Sequence, residues 1–174
     1  MSNKKRDYEK AAEIVRDAGG QVVGRTKLQK IGCLLELAGC GDGFYFEYRH
    51  YGPYSEDLAR AISVANAFDL VEEEERKATW GGIYSIYTAS EAVGERVEGP
   101  RAELAATAAK FGSIELELAA TAAYLRAVEG CEDPWKETAR RKPNKIGDGR
   151  LEGAKEAYRQ LSAIRTPKPL PRFE

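Results

Sequence analysis

One stretch limits the fold more than any other: residues 44–51, Phe-Tyr-Phe-Glu-Tyr-Arg-His-Tyr, set between two segments of helical periodicity. A run so rich in aromatics reads as a strand, because such side chains fit a pleated, half-buried surface. Gly39, Gly41 and Gly43 break the chain before it, and Gly52-Pro53 ends it in a turn. A strand there rules out a plain helical bundle. It also separates the second and third helices by more than the three or four residues of an ordinary helix-turn-helix.

The flanking segments are amphipathic. Tyr8, Ala11, Ala12, Val15 and Ala18 recur at helical spacing over residues 7–18, and Gly19-Gly20 stop that helix. Thr26 with Gln29 three residues on has the pattern of a capping box, opening a helix whose face is Leu28, Ile31, Leu35 and Ala38. Leu34 and Leu37 widen that face and place the helix near the core centre. Ser55 is a good N-cap for a third helix running to about Phe68, with Glu56 and Asp57 where the helix dipole favours negative charge. Leu70 to Glu72 and Ile83 to Tyr87, around a Gly81-Gly82 turn, read as a β-hairpin.

Helices followed by such a hairpin predict a winged-helix-like core over residues 1–95. The rest reads as helical: 89–97, 100–111, 114–128 capped by Ser113, 133–141 and 149–164. Residues 96–165 thus form a helical C-terminal portion packed on the core. Pro167, Pro169 and Pro171 make 166–174 a non-helical tail, extended or disordered. The expected class is α+β, mostly helical.

Catalytic signatures are not found. His50 is the lone histidine and sits in the aromatic run, without a nucleophile pattern beside it. The glycines of residues 39–43 follow a helix and precede a strand, the reverse of a phosphate-binding loop. Glu72 to Glu75 reads as a solvated charge run. Cys33, Cys40 and Cys131 lack the spacing of a metal knuckle, and Cys33 reads as a buried reduced thiol. The expectation is a non-enzymatic protein with no catalytic residue, no cofactor and no metal. No stretch approaches the ~20 apolar residues of a membrane span, so the expected location is the cytoplasm.

Three basic or aromatic clusters remain as contact candidates. Arg25, Lys27 and Lys30 gather at a helix N-terminus, where free N–H groups also favour an anion or an acidic side chain. Tyr51 and Tyr54 flank the Gly52-Pro53 turn and offer apolar bodies with hydroxyl tips. Arg140, Arg141, Lys142 and Lys145 could touch a polyanion. Charge weighs against nucleic acid as the main partner. The whole chain is −1, residues 1–95 carry 12 basic and 16 acidic side chains, and the rest carry 15 and 12. The candidate reading helix opens on Glu56 and Asp57, and the wing carries Glu72 to Glu75, which repel phosphate.

Two stretches in order, Gly24-Arg25-Thr26-Lys27-Leu28-Gln29-Lys30-Ile31 and then Phe46 with Tyr51-Gly52-Pro53-Tyr54-Ser55 and Leu58, resemble the Panacea-type antitoxin superfamily and its uncharacterised bacterial relatives. Leu116 to Ala122, Arg141-Lys142-Pro143, and Ala154 with Ala157 are similar to the same relatives. The resemblance spans about residues 8–163. It implies a winged-helix-related core, a prokaryotic source and a role in toxin neutralisation, as an adaptor, or in a mobile-element or defence locus. The expected partner is a protein, a toxin or a protease-system component, contacted by Arg25, Lys27, Lys30, Tyr51 and Tyr54. The alternative is a winged-helix DNA-binding transcriptional regulator.

Overall fold

The structure is a computed structural model that describes residues 4–174. Its first half runs α1 (Asp7–Asp17), β1 (Gln21–Val23), α2 (Arg25–Leu37), β2 (Glu47–Arg49), β3 (Gly52–Tyr54), α3 (Glu56–Ala67), β4 (Val71–Lys77) and β5 (Ile83–Ala89). The second half is helical: α4 (Pro100–Ala109), α5 (Ser113–Ala127), α6 (Pro134–Arg141) and α7 (Arg150–Ser162). The protein is α+β and mostly helical. β1, β5 and β4 form an antiparallel sheet in that order, with Val22 opposite Tyr87 and Glu73 opposite Tyr87 on its other side. Three helices, a β-hairpin and a short strand between the first two helices make a winged-helix arrangement, with the β2–β3 hairpin inserted between α2 and α3.

Local chemistry accounts for several boundaries. Ser55 caps α3, its hydroxyl accepting from the Leu58 amide at 3.1 Å. Asp133 does the same for α6, accepting from the Lys136 amide. α2 departs from the capping-box expectation. It begins at Arg25, with Gly24 as N-cap at φ +102°, and Gln29 turns inward instead of back. Ser113 is likewise the first residue of α5 rather than its cap, which is Gly112.

The aromatic run is not one long strand. Phe44 is buried against the core, and only Glu47–Arg49 pairs, with the reversal falling at His50-Tyr51. Gly52-Pro53, expected as a turn, belongs to the returning strand, where Tyr48 faces Pro53 and Arg49 faces Gly52. Pro53 is tolerated because a two-stranded ribbon has an edge on which the missing N–H is not needed. Residues 89–97 are not a helix either. A single 3₁₀ turn, Glu91–Val93, follows β5, and Arg96 then anchors the chain to the carbonyls of Asp17 and Ala102.

One hydrophobic cluster joins both halves, from Ala11 and Ile14 of α1 through Leu28, Ile31 and Leu35 of α2 to Leu116, Leu118 and Ala122 of α5. Every residue of α5 from Leu116 to Leu125 is buried, including Glu117 and Thr121. Its alanines let α2, α7, α6 and β3 pack against it. The tail is extended, as expected of its prolines, but it is docked. The Lys168 amide donates to the Ala38 carbonyl at 2.9 Å, Leu170 is buried, and the Phe173 ring stacks on Tyr158 at 4.7 Å between centroids.

Candidate functional site

The start of α2, the β2–β3 reversal, α3 and the wing enclose a groove of about 380 Å³. Its floor is apolar: Leu28 from α2, Ile62 from α3 and the ring of Tyr87 from β5. Tyr51, Tyr54 and Arg25 also line it. The position of Arg25 follows from Gly24, whose amide donates to the Ser85 carbonyl at 2.7 Å and pins the helix start onto β5. Arg25 then lies across the sheet. Its guanidinium reaches Glu73 at 3.0 Å and Glu75 at 3.5 Å, and Glu73 also accepts from the Ser85 hydroxyl at 2.6 Å. Hydrogen bonding to Glu73 holds the guanidinium pKa above its usual value.

Beneath the tyrosines the hairpin is clamped. The Gln29 side chain donates to the Ser55 carbonyl at 2.9 Å and accepts from the Ser55 amide at 2.8 Å. This two-way bond fixes the entry to α3 and, with it, the wall that carries Ile62. Lys30 lies deeper, 1% exposed, donating to the Pro53 carbonyl at 2.7 Å. Burial pushes its ammonium down to about 8. Gly52, at φ +86°, sits so close to α5 that a Cβ there would fall 2.5 Å from the Thr121 hydroxyl. The tyrosine-bearing turn is therefore seated on α5 through a position that only glycine fills without strain.

The expected contact residues separate on this geometry. Arg25, Tyr51 and Tyr54 share the groove, and Tyr51 is 56% exposed. Lys30 corrects the expectation of a solvent-facing cation: its stem lines the same groove, but its ammonium is turned under the hairpin. Lys27 lies elsewhere, half-buried and donating to the Ala109 carbonyl at 3.2 Å. Burial lowers its pKa as well.

The basic patch is corrected too. Arg140 pairs with Glu137, and Arg141 reaches Glu137 at 2.8 Å and Glu129 at 3.2 Å while its guanidinium covers the Tyr48 ring. Those hydrogen bonds, from Arg140 and then Arg141, hold the Glu137 carboxyl down at about 2. Lys142 is buried and 3.3 Å from Glu117, and Lys145 is 2.6 Å from the same carboxylate oxygen. The arginines are paired within the protein and do not form a free cationic face, while Lys142 and Lys145 share one carboxylate.

Carboxylates also accompany the arginines around α3. Arg49 binds Glu47 and, at 2.9 Å, Glu56; Arg60 binds Asp57 at 3.0 Å. The wing strand keeps Glu72, Glu74 and Glu75 exposed. Sequence reasoning read Gln29 as a capping-box residue, where it instead clamps Ser55, and passed over Glu117 and Trp80. Trp80 stands 77% exposed at the wing tip. A tryptophan beside Gly81-Gly82 was visible as a signal; the inward turn of Gln29 was not. Among the described residues no group of three His, Cys, Asp or Glu side chains is placed to hold a metal ion, and no helix is long and apolar enough to cross a membrane. Comparison with known protein families, curated proteins and solved structures finds no match.

Proposed function

We propose that this protein is a non-enzymatic, antitoxin-like or adaptor-like binder that holds a protein partner in the groove between α2, the β2–β3 hairpin, α3 and the wing. The observation that carries this reading is the convergence of Arg25, Tyr51 and Tyr54 on one apolar-floored groove. Tyrosine and arginine around a desolvated centre are the residue types that dominate binding energy at protein interfaces. The motif resemblance points the same way, to a prokaryotic toxin–antitoxin, mobile-element or defence setting with a toxin or protease-system component as partner.

The winged-helix arrangement itself supports a second reading, a DNA-binding regulator with α3 in the major groove. Its electrostatics oppose that: Glu56, Asp57, Glu72, Glu74 and Glu75 would stand near phosphate. The cytoplasm is the proposed setting for either reading.

The test is affinity capture of the wild type and of a Tyr51→Ala, Tyr54→Ala double variant from the source organism, with mass spectrometry and an absorbance ratio for nucleic acid. Each tyrosine is expected to contribute about tenfold or more in affinity. A defined protein bound by the wild type and lost from the variant supports the groove. Nuclease-sensitive material retained by both forms replaces it with the regulator.

A further inference from the structure

The groove ends at a cluster of charge that does not balance. Lys30, Lys142 and Lys145 gather around a single carboxylate, Glu117, which is 2% exposed. Lys30 makes its hydrogen bond to a carbonyl, so one anion stands against three ammonium groups. An uncompensated charge held away from water is costly, and a cluster of one sign favours the approach of the other. The Thr121 hydroxyl is fully buried in the same place, without a hydrogen-bond partner. It lies against the backbone of Gly52, and Lys30 Nζ approaches the same glycine.

The way in is at Tyr51. Lys145 Nζ sits 4.8 Å over the centre of the Tyr51 ring, and its side chain is 30% exposed. Tyr51 therefore touches both features: the groove on one side and the lysine cluster on the other. We infer that the groove's partner presents an acidic side chain next to its apolar anchor, and that Lys145, over the face of the Tyr51 ring, receives the carboxylate. This rests on the proposed groove and adds the chemistry of its occupant. It also moves the anion contact from the start of α2, where one cation, Arg25, meets two carboxylates, Glu73 and Glu75, to the junction of the hairpin with the loop after α6, where three lysines share one.

The test needs no partner. The purified full chain is titrated in low-salt buffer with glutamate capped at both ends, and in parallel with capped glutamine at matched ionic strength, following the melting temperature. A ligand bound only by the folded state raises that temperature saturably. The expected result is a saturable rise of a few degrees with capped glutamate and none with capped glutamine. Lys145→Gln loses the rise, Lys145→Arg keeps it, and Arg140→Gln, outside the cluster, keeps it too. Tyr51→Ala, at an exposed position that endangers folding least, weakens the apparent affinity several-fold. Equal responses to the two compounds, or a rise undiminished in Lys145→Gln, overturns the acidic-anchor assignment. Loss of partner capture in the tyrosine double variant would still stand in that case, so the two readings fail separately.

Discussion

Replacing Lys30 by Met tests whether the buried ammonium under the hairpin opposes folding. Its pKa falls from 10.5 to about 8, with burial as the main cause and the neighbouring Lys142 and Lys145 adding to it against the pull of Glu117. A gap of that size corresponds to about 3 kcal/mol against the charged form. Between the two values the unfolded chain binds more protons than the folded one, so stability rises with pH there. From pH ~7 to pH ~9 Lys30 alone adds about 1 kcal/mol. Lys27 and Lys142 are lowered in the same direction. Cys33, pushed up from 9.0 to about 12 by burial, opposes the trend once its unfolded thiol begins to ionise. Methionine fills the same stem volume without a charge. It also leaves the Pro53 carbonyl unpaired, a loss of about 1–3 kcal/mol. The two effects nearly offset, so Lys30→Met at neutral pH is expected to lie between unchanged and about 2 kcal/mol more stable. Its pH profile loses the Lys30 share of the rise. Urea unfolding followed by circular dichroism at several pH values measures both quantities. A wild-type profile flat from neutral pH to pH ~9, or a Met variant several kcal/mol less stable, would refute the burial argument.

Two further substitutions probe how the hairpin is held. Gln29→Ala removes both bonds to Ser55 and leaves two buried backbone groups unsatisfied, an expected loss of about 2–4 kcal/mol in urea unfolding; Gln29→Glu is also destabilising, because a carboxylate cannot donate to the Ser55 carbonyl. Gly52→Ala meets both the φ of +86° and the Thr121 hydroxyl, for an expected loss of about 2–3 kcal/mol. In a Thr121→Ala background the same change is expected to be milder by about 1 kcal/mol, since only the backbone strain remains, and a double-mutant cycle reads the difference.

Periodicity located the long helices, though not the one expected over residues 89–97, because it reports an element's own faces. Of the α3 face expected from spacing, Leu58, Ile62 and Ala65 are buried while Phe68, the C-cap, is exposed, and Ser55 caps the helix as its chemistry requires. β1 escaped notice because three residues between glycines carry no periodic signal, and its strand character comes entirely from pairing with β5. Lys30 was misread for a related reason. α2 is buried on every side from Leu28 to Leu35, enclosed by α5 and the hairpin, and an amphipathic reading assigns a lysine in such a helix to solvent. The basic run at 140–145 hid two kinds of partner: Glu137, on the same helix three and four residues before Arg140 and Arg141, was a legible local signal, whereas Glu117 and Glu129 lie on or beyond α5, farther away in sequence. Arg25, Tyr51 and Tyr54 were legible as candidates from local chemistry alone. That they share one groove depends on how the inserted hairpin folds back, which no local pattern encodes.

The docked tail has a consequence for biosynthesis. Segment 166–173 covers Trp135 and Tyr158 and bonds to the carbonyl of Ala38, so the end of α2 receives its final covering from residues translated more than a hundred codons later. On the ribosome the winged half emerges with that surface still bare. The rings of Trp135 and Tyr158 in the helical half likewise gain their cover only once Phe173 is in place, which makes completion of this core a step that follows synthesis of the helical half rather than one that accompanies it.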